Sequence, residues 1–484
     1  MGVISLINEV KKQKILYKII IAVFCILFLH TSVYAKNSLK IALTGKYPPF
    51  SYYNETGELT GYDVDISGAI AFELGMDADI ITTEWDGILA GLLSGKYDVI
   101  IGSMAITKQR KKKVNFTKPY YYSGAQLFVA QEYVENIKNI KDCYGKKIGV
   151  NLGETYEHYL RNKHPQIDVV TYKSTVDIFK DIKNKRIIGL VTDKMVGSWQ
   201  IKKSKQAIFP IGKMLYKEDI AIPIKKSNPK LLKKINIALE KIEKKGIKQK
   251  IYDKYFTINN ALKDETQANS SLFLFKILKG FAITLFVAII SLFLGFVVAI
   301  PTAIVLNSDK GIIKRITRFI VDFIRGTPVL IQLFFIYFGA PQIGIVLSPI
   351  SSAIITLSIN ASAYMAEVIR SGLMSVPYGQ GLAGRALGFS KTQIFVYIIW
   401  PQAFRIAIPS LVNSVIALTK DTALISIISV GEVIREAQSI ISITFNPIKY
   451  YFFVAILFFM VTFPLMKLAG KLERNIKKKG FEVD

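Results

Sequence analysis

Long apolar stretches with few charged residues dominate the chain from about Ser271 onward, and they constrain the fold more than any other feature. Each stretch is about long enough to cross the hydrocarbon core of a bilayer as a helix, allowing for tilt and for ends buried in protein. The segment 423–443 is only partly apolar, which leaves open whether it re-enters the membrane. The five candidate spans are Phe281–Leu306, Ile320–Phe338, Ile350–Met365, Ile406–Thr422 and Tyr450–Met466.

Residues 36–256 have a different pattern, in which short apolar runs alternate with Lys, Asp and turn residues. Runs typical of strands alternate with segments of helical periodicity, which predicts βαβ units and parallel sheets. Such sheets bind ligands at the carboxyl ends of their strands. We therefore expect an α/β domain at 36–256, a linker at 257–271 and an all-α transmembrane domain at 272–484. The predicted strands are Leu39–Leu43, Ile80–Thr82, Val99–Gly102, Lys147–Val150, Val169–Tyr172 and Ile187–Val191.

The N-terminus carries the pattern of an export signal. Lysines precede the apolar run Ile19–Leu29, and a polar stretch then ends in the small residue Ala35. This order predicts a signal peptide at 1–35, with an uncleaved signal anchor as the alternative. Cys25 lies within the apolar run, so Cys143 is left without a partner and no disulfide is expected in the mature chain. No clustering of Cys and His suggests a metal site.

The formal net charge of +27 invites a nucleic-acid interpretation. Lysine is spread evenly over residues 36–256, however, which indicates compositional bias rather than a binding patch, and no nucleic-acid partner is expected. In the apolar half the basic residues instead set the orientation, because cytoplasmic loops are enriched in Lys and Arg. The loops after the first, third and fifth spans are basic, whereas 339–349 carries no charge. Residues 36–256 are therefore predicted on the outer face of a bacterial inner membrane.

The loops that follow the predicted strands carry the most informative motifs. The motifs are Thr44–Phe50, Gly61–Asp65, Gly102–Arg110 and Val114–Tyr122. In these segments the sequence closely resembles the periplasmic binding proteins for polar amino acids, whose ligand lies between two α/β lobes. The resemblance extends from about Leu39 to Phe256. It implies that this domain captures a small-molecule amino acid of a glutamine-like or related kind.

The resemblance also implies roles for individual residues. Arg110 matches the arginine that grips the ligand α-carboxylate, where a planar guanidinium can bind bidentately. Ser103 and Ala105 match positions whose backbone groups face the ligand. Thr155 opens a helix whose free N–H groups point to the same carboxylate. Asp193 matches the carboxylate that pairs with the α-ammonium group.

The same resemblance assigns the ligand side chain to two aromatic residues. Tyr47 and Trp85 match the rings that sandwich it; either residue alone would favour core packing, whereas the whole pattern favours ligand contact. Thr44 departs from the pattern, since many relatives that bind glutamine or basic amino acids carry Asp there. Loss of that carboxylate weakly disfavours lysine and arginine as substrates, whereas Glu84 or Asp86 offers a compensating charge.

The long basic loop at about 371–405 resembles the coupling loop of permeases in the polar-amino-acid branch of the ABC importers. In that family the loop forms a short helix that docks into a cytosolic ATPase. Leu382 stands where Glu is usual, Gly384 where Ala is usual and Trp400 where Leu is usual. A generic amphipathic loop is the alternative. The candidate coupling residues are Gly379, Gln380, Leu382, Ala383, Gly384, Ala386 and Gly388.

Energy for transport is expected to come from a separate chain. The nearest string to a Walker A motif, Gly91–Tyr97, has the wrong spacing and lies in the exported domain. We therefore expect no catalytic residues and no cofactor in this chain, with ATP bound by a partner ATPase. A permease homodimer or heterodimer surrounded by lipid is also expected. Lys420 and Asp421, within an apolar stretch, are candidate transport-pathway residues, with mutual neutralisation of their charges as the alternative.

Two other classes of protein use similar binding domains. A ligand-gated channel would interrupt the two lobes with pore segments, and a cell-wall lyase would add a catalytic domain. The apolar spans after residue 271 favour a permease over both.

Overall fold

The computed structural model describes residues 38–54, 56–256, 270–308, 311–428, 430–444 and 446–477. The predicted signal peptide and nearly all of the predicted linker lie outside these described residues.

The first lobe is built on a five-stranded sheet in the order β5-β1-β6-β13-β7. Strands β1 and β6 pair in parallel, with Ile41 opposite Val99, and both are buried. A small sheet of β2, β3 and β4 lies beside it. The strands of this lobe are β1 Ser38–Leu43, β2 Lys46–Tyr47, β3 Ser51–Tyr53, β4 Leu59–Thr60, β5 Asp77–Thr82, β6 Val99–Ile100, β7 Val114–Phe116 and β13 Pro223–Lys225.

The second lobe, residues 121–220, is built on a sheet in the order β10-β9-β11-β8-β12. Strands β8 and β12 are long and antiparallel, and the sequence analysis assigns no strand at either position. Strand β12 contains Pro210, which its place at the sheet edge tolerates. The strands are β8 Tyr121–Ala130, β9 Lys147–Asn151, β10 Asp168–Tyr172, β11 Gly189–Asp193 and β12 Ile208–Ile220.

The chain crosses twice between the lobes, and the two crossings lie side by side. Tyr121 at the start of β8 pairs with Ile220 at the end of β12. Just before this pair, the Tyr120 amide donates to the Ile220 carbonyl at 2.9 Å. Two adjacent crossing strands form a hinge, so ligand between the lobes would be enclosed by rotation about it.

Helices flank both sheets, and several of them begin at a side chain that caps them. The Thr107, Ser174 and Asn228 side chains each accept a hydrogen bond from a backbone N–H in the first turn of the helix that follows. The helices of the two lobes are Tyr62–Glu73, Trp85–Ser94, Lys108–Lys113, Thr155–Lys163, Thr175–Lys183, Lys194–Ser204, Pro229–Lys244 and Ile247–Phe256.

The C-terminal half is helical. Four stretches are long and apolar enough to cross a membrane: Ser271–Leu306, Pro349–Met374, Lys391–Ile428 and Pro447–Ile476. The full set of α-helices described is Ser270–Leu306, Gly311–Gly326, Val329–Phe334, Pro349–Met374, Tyr378–Ala386, Lys391–Gln393, Trp400–Asp421, Val433–Thr444 and Pro447–Lys477. Irregular helical turns at 335–343, 394–399 and 422–428 extend three of them.

The second predicted span, Ile320–Phe338, differs from the sequence expectation. It is split between Gly311–Gly326 and Val329–Ile343, which are bent relative to each other by 104°. Pro328 stands at the break, where it lacks an N–H and disfavours helical backbone in the residue before it. The described residues therefore hold four spans, or five if the bent pair counts as one.

The helices Ser270–Leu306 and Pro349–Met374, which contain the first and third predicted spans, pack closely against each other. A Cβ at Gly295 would lie 2.8 Å from the Ala361 Cβ and 3.1 Å from the Ser358 carbonyl oxygen. Only glycine permits that approach, which is how small residues bring membrane helices together. The partly apolar stretch after the fourth span forms a helix, Val433–Thr444, that packs against the first span and against β3 of the first lobe.

Candidate functional site

A cleft of about 710 Å³ lies between the two lobes. Every predicted substrate-binding residue except Asp193 lines it, so the structure brings together residues that lie more than a hundred positions apart. The lining residues are Thr44, Lys46, Tyr47, Glu84, Trp85, Gly102, Ser103, Ala105, Arg110, Asn151, Leu152, Glu154, Thr155, Tyr156, Lys173, Ser174, Thr175 and Glu218.

Arg110 extends into this cleft from the helix that Thr107 caps. Its Nη1 donates to the Ala105 carbonyl at 2.9 Å, and its guanidinium carbon lies 5.5 Å from the Trp85 ring centroid. Among the described residues no carboxylate lies within ion-pair distance of this guanidinium. Burial lowers the pKa of Arg110, although the Glu218 and Glu154 charges oppose that shift. The arrangement leaves guanidinium donors for a ligand anion.

The helix Thr155–Lys163 begins at the opposite wall of the cleft. The residue before it, Glu154, accepts a hydrogen bond from Asn151 Nδ2 at 3.1 Å through one oxygen, while its other oxygen and Asn151 Oδ1 are buried without a partner. Burial raises the pKa of Glu154 to about 8. A buried acceptor without a donor is costly, so this wall offers sites for ligand N–H groups.

A buried network holds Ser103 in place. Ser103 adopts a φ of +54°, which is uncommon for a residue with a side chain. Its Oγ donates to the Asp63 carboxylate at 2.8 Å, and the Tyr120 hydroxyl donates to the other Asp63 oxygen at 2.7 Å. The Ser103 amide in turn donates to that Tyr120 hydroxyl at 3.1 Å. The network stabilises a strained backbone that faces the cleft.

Asp193 lies behind the cleft wall in this structure. It is only 3% exposed, and it caps the helix Lys194–Ser204 by accepting hydrogen bonds from the Met195 and Val196 amides. The Ser123 hydroxyl donates to its second oxygen. Burial raises the pKa of Asp193 to about 6, with those hydrogen bonds opposing the shift. Because Asp193 does not line the cleft, contact with a ligand ammonium would require the residues between them to move.

The two aromatic residues predicted to flank the ligand side chain both line the cleft. Trp85 Nε1 donates to the Gly153 carbonyl of the second lobe at 3.4 Å, so it spans the two lobes at one edge. Tyr47 is stacked on Phe50, and burial raises its pKa well above the usual value. Thr44 lines the same cleft, and so does Glu84, while the side chain of Asp86 lies outside the described part of the chain.

The sequence analysis missed the polar groups contributed by the second lobe. Asn151 and Glu154 flank the Leu152-Gly153 turn at the end of β9. Ligands bind at the carboxyl ends of parallel strands, so this position was a signal for both residues. Glu218 carried no such signal, because it lies within the unpredicted strand β12 opposite Ser123. Asp63 belongs to the motif Gly61–Asp65, which by itself predicts no role for this residue.

The predicted coupling segment forms the helix Tyr378–Ala386, followed by Gly388 at a φ of +78°. A Cβ at Gly384 would lie 2.8 Å from Ile398 Cδ1 and 2.9 Å from Ile394 Cγ1, so glycine allows close packing at this point. Leu382 is 48% exposed. One face of this helix packs against Ile394 and Ile398, while the apolar Leu382 side chain is exposed.

Of the remaining predicted residues, Gly379, Gln380, Ala383 and Ala386 are all exposed on that helix. Lys420 and Asp421 end the helix Trp400–Asp421. In the described part of the chain, no group of three or more His, Cys, Asp or Glu could hold a metal ion.

Both halves of the chain match known protein families. Residues 39–258 match the bacterial extracellular solute-binding proteins, family 3, and residues 291–478 match the binding-protein-dependent transport system inner membrane components. These are families of transport components rather than enzymes.

Individual relatives match one half each. The L-cystine-binding protein TcyJ of Escherichia coli K12 is 35% identical over 221 residues, covering 46% of this chain and 83% of the relative. The L-cystine transport system permease protein TcyB of Bacillus subtilis is 36% identical over 200 residues, covering 41% and 86%. Among solved structures, an ancestral arginine-binding protein bound to glutamine is 35% identical, with a TM-score of 0.44 over 46% of this chain and 99% of that one.

Proposed function

This chain belongs to the fused binding-protein and permease components of polar amino-acid ABC importers, and from that premise we propose that it captures a polar amino acid outside the cell and passes it through its own permease half. The proposed substrate class is a glutamine-like or related α-amino acid, which includes cystine. Relatives of both halves carry cystine in their names, which supports its inclusion.

The observation that carries the proposal is that hydrogen-bond donors and acceptors for the different polar groups of an amino acid line one cleft. Arg110 offers donors to an α-carboxylate, and the helix that begins at Thr155 offers further backbone N–H groups. Acceptors for an ammonium or amide group come from Glu154, Glu218 and Asn151. Such a site complements a zwitterion with a polar side chain, and it suits neither a simple anion nor an apolar ligand.

The docked arrangement supports the proposed orientation. The first lobe rests on the end of the helical half at which Lys96 donates to the Leu347 carbonyl at 3.3 Å. Leu347 belongs to the uncharged loop 339–349, which the distribution of basic residues predicts on the outer face of the membrane. The helix Tyr378–Ala386, in a basic loop, is then proposed to meet a separate cytosolic ATPase as part of a permease dimer. Asp193 is proposed to receive the α-ammonium once ligand binding exposes its carboxylate to the cleft.

A ligand screen on the full chain in lipid nanodiscs tests this function. The expected result is a rise in the melting temperature with at least one polar amino acid, which is absent in Arg110→Ala. A shift of equal size in Arg110→Ala would contradict the proposed site, and no shift with any amino acid, cystine included, would contradict the function.

A further inference from the structure

Glu84 lies in the wall that separates the ligand cleft from a second cavity. This second cavity, of about 920 Å³, is lined by both the lobes and the permease half. Its permease residues include Ser426, Gln438 and Tyr451. The residues common to both cavities are Lys46, Glu84, Trp85, Leu152, Lys173 and Ser174. A ligand that passes directly from the cleft to the permease must pass this shared wall.

One oxygen of Glu84 receives two cations from different parts of the chain. Lys46 of the first lobe donates from Nζ at 2.5 Å, and Arg435 of the permease half donates from Nη1 at 3.0 Å. The Arg435 side chain is only 8% exposed. Burial by itself raises the pKa of Glu84, but the Lys46 and Arg435 charges lower it below the usual value. Glu84 is therefore an anion that is already neutralised in the docked arrangement.

Arg435 is held in position by its own helix. Its backbone amide donates to Glu432 Oε1 at 2.8 Å, and its Nη1 also lies 3.4 Å from the Ser426 carbonyl oxygen. Lys46 is anchored in the same way, because its Nζ donates to Gln438 Oε1 of that helix at 2.7 Å. The Arg435–Glu84 contact thus depends on the first lobe meeting Val433–Thr444, whereas the Lys46–Glu84 ion pair lies within the first lobe and gains a second contact at Gln438.

The polar contacts between lobes and permease fall mainly on the first lobe. Lys276 donates to the Gly57 carbonyl, and Lys96 lies 3.2 Å from the Tyr337 ring centroid. The second lobe contributes Val176 to an apolar cluster with Phe273 and other permease residues. The first lobe, which carries Glu84, is thus the lobe that the permease holds by charge.

We propose that Arg435 is a substrate-displacing residue of the permease, which occupies Glu84 on docking and so denies that carboxylate to a cationic group at the far end of the ligand. The inference rests on the proposed function and adds a specificity device to it. When the lobes are undocked, Arg435 is withdrawn and Glu84 shares its charge between Lys46 of the same lobe and a basic side chain of the ligand. When they are docked, a basic ligand loses its partner and a neutral polar ligand does not.

The contact between Arg435 and Glu84 also links docking to release of the ligand. A guanidinium or ammonium at the end of the ligand and the Arg435 guanidinium compete for one oxygen, and like charges in a partly buried site repel. Docking therefore favours release of a basic ligand from Glu84. A neutral ligand depends on lobe opening alone.

Calorimetric titration of the full chain in nanodiscs with arginine and with glutamine tests the proposal. Arg435→Gln is expected to tighten arginine binding about tenfold while glutamine affinity changes by less than about twofold. Arg435→Lys keeps the charge and is expected to resemble the unmodified chain. Lys96→Gln is the matched control, because Lys96 lies in the same interface but lines neither cavity. In the Glu84→Gln background, Arg435→Gln is expected to change neither affinity.

Three results would overturn the inference while leaving the importer function intact. They are equal changes in affinity for both ligands in Arg435→Gln, a change in arginine affinity in Lys96→Gln equal to that in Arg435→Gln, and no gain in arginine affinity in Arg435→Gln. Absence of binding by every amino acid would overturn the proposed function instead. Hydrogen exchange of the backbone amides of 433–444 tests the Arg435–Glu84 contact in the absence of ligand. Faster exchange in Glu84→Gln than in Lys96→Gln would support the contact, and equal exchange would refute it.

Discussion

The Ser103 hydroxyl donates to the buried Asp63 carboxylate at 2.8 Å, and this pair ties a strained cleft residue to the helix Tyr62–Glu73 of the first lobe. Asp63 is fully buried and has two hydroxyl donors, one from Ser103 and one from Tyr120. The geometry of the ligand-facing loop therefore depends on a residue that does not line the cleft.

Replacing Asp63 by Ala is expected to leave both hydroxyls without an acceptor and to lower stability by about 1–3 kcal/mol. Ligand affinity should fall as well, because Ser103 loses the contact that fixes its backbone. Chemical unfolding and ligand titration measure the two effects. Asp98→Ala, at an exposed hydrogen bond to the Lys40 amide, is the control and should affect binding little.

The same carboxyl predicts a pH dependence of stability. Burial raises the pKa of Asp63 from 3.8 to about 7, so the native state prefers the protonated form. The stability that this preference contributes is complete below pH 3.8 and is lost as the pH rises through about 7. The difference in melting temperature between Asp63→Asn and the unmodified chain should therefore move in favour of Asp63→Asn between pH 5 and pH 8. A difference that stays constant over that range would contradict the assignment.

Ligand affinity is expected to rise with pH through the range in which Asp193 ionises. Burial raises the pKa of Asp193 to about 6, and only its anion attracts an α-ammonium group. Affinity should thus increase from pH 5 to pH 7, and Asp193→Asn should flatten that part of the profile. Titrations at several pH values measure it; an unchanged slope in Asp193→Asn would remove Asp193 from the site.

Arg110→Ala is expected to weaken binding by about 100-fold or more, since it removes a charged partner from a buried site. The matched control is Lys111→Ala on the same short helix, where the side chain is exposed and lines no part of the cleft. Binding by Lys111→Ala should match that of the unmodified chain. Similar losses of affinity in both variants would mean that general positive charge, rather than hydrogen bonding by the Arg110 guanidinium, attracts the ligand.

Gly384→Val is expected to displace the helix Tyr378–Ala386, because its Cβ would collide with Ile394 and Ile398. Co-purification of the cognate ATPase with the chain measures the effect and should fall sharply. Gly470→Ala, which meets nothing within 4 Å, is the control. Full retention of the ATPase by Gly384→Val would exclude this helix as its docking element.

Sequence patterns predicted the α/β lobes, the helical half and most of the cleft, because period, turn residues and strand-end loops are local signals. The bend between Gly326 and Val329 was not predicted, although Pro328 is a local signal for it. The strands β8 and β12 were not predicted either, because a hinge of two long antiparallel strands is decided by pairing between distant segments. Glu218 and Arg435 escaped for the same reason: each becomes informative only when the fold brings it to the cleft or to Glu84.

Uptake by proteoliposomes that contain the chain with its cognate ATPase tests the central claim most directly. With ATP supplied on the ATPase side, labelled glutamine, cystine or a related polar amino acid should accumulate, and Arg110→Ala should abolish accumulation while Lys111→Ala preserves it. ATP-dependent accumulation of none of the amino acids, or accumulation that persists in Arg110→Ala, would contradict the account.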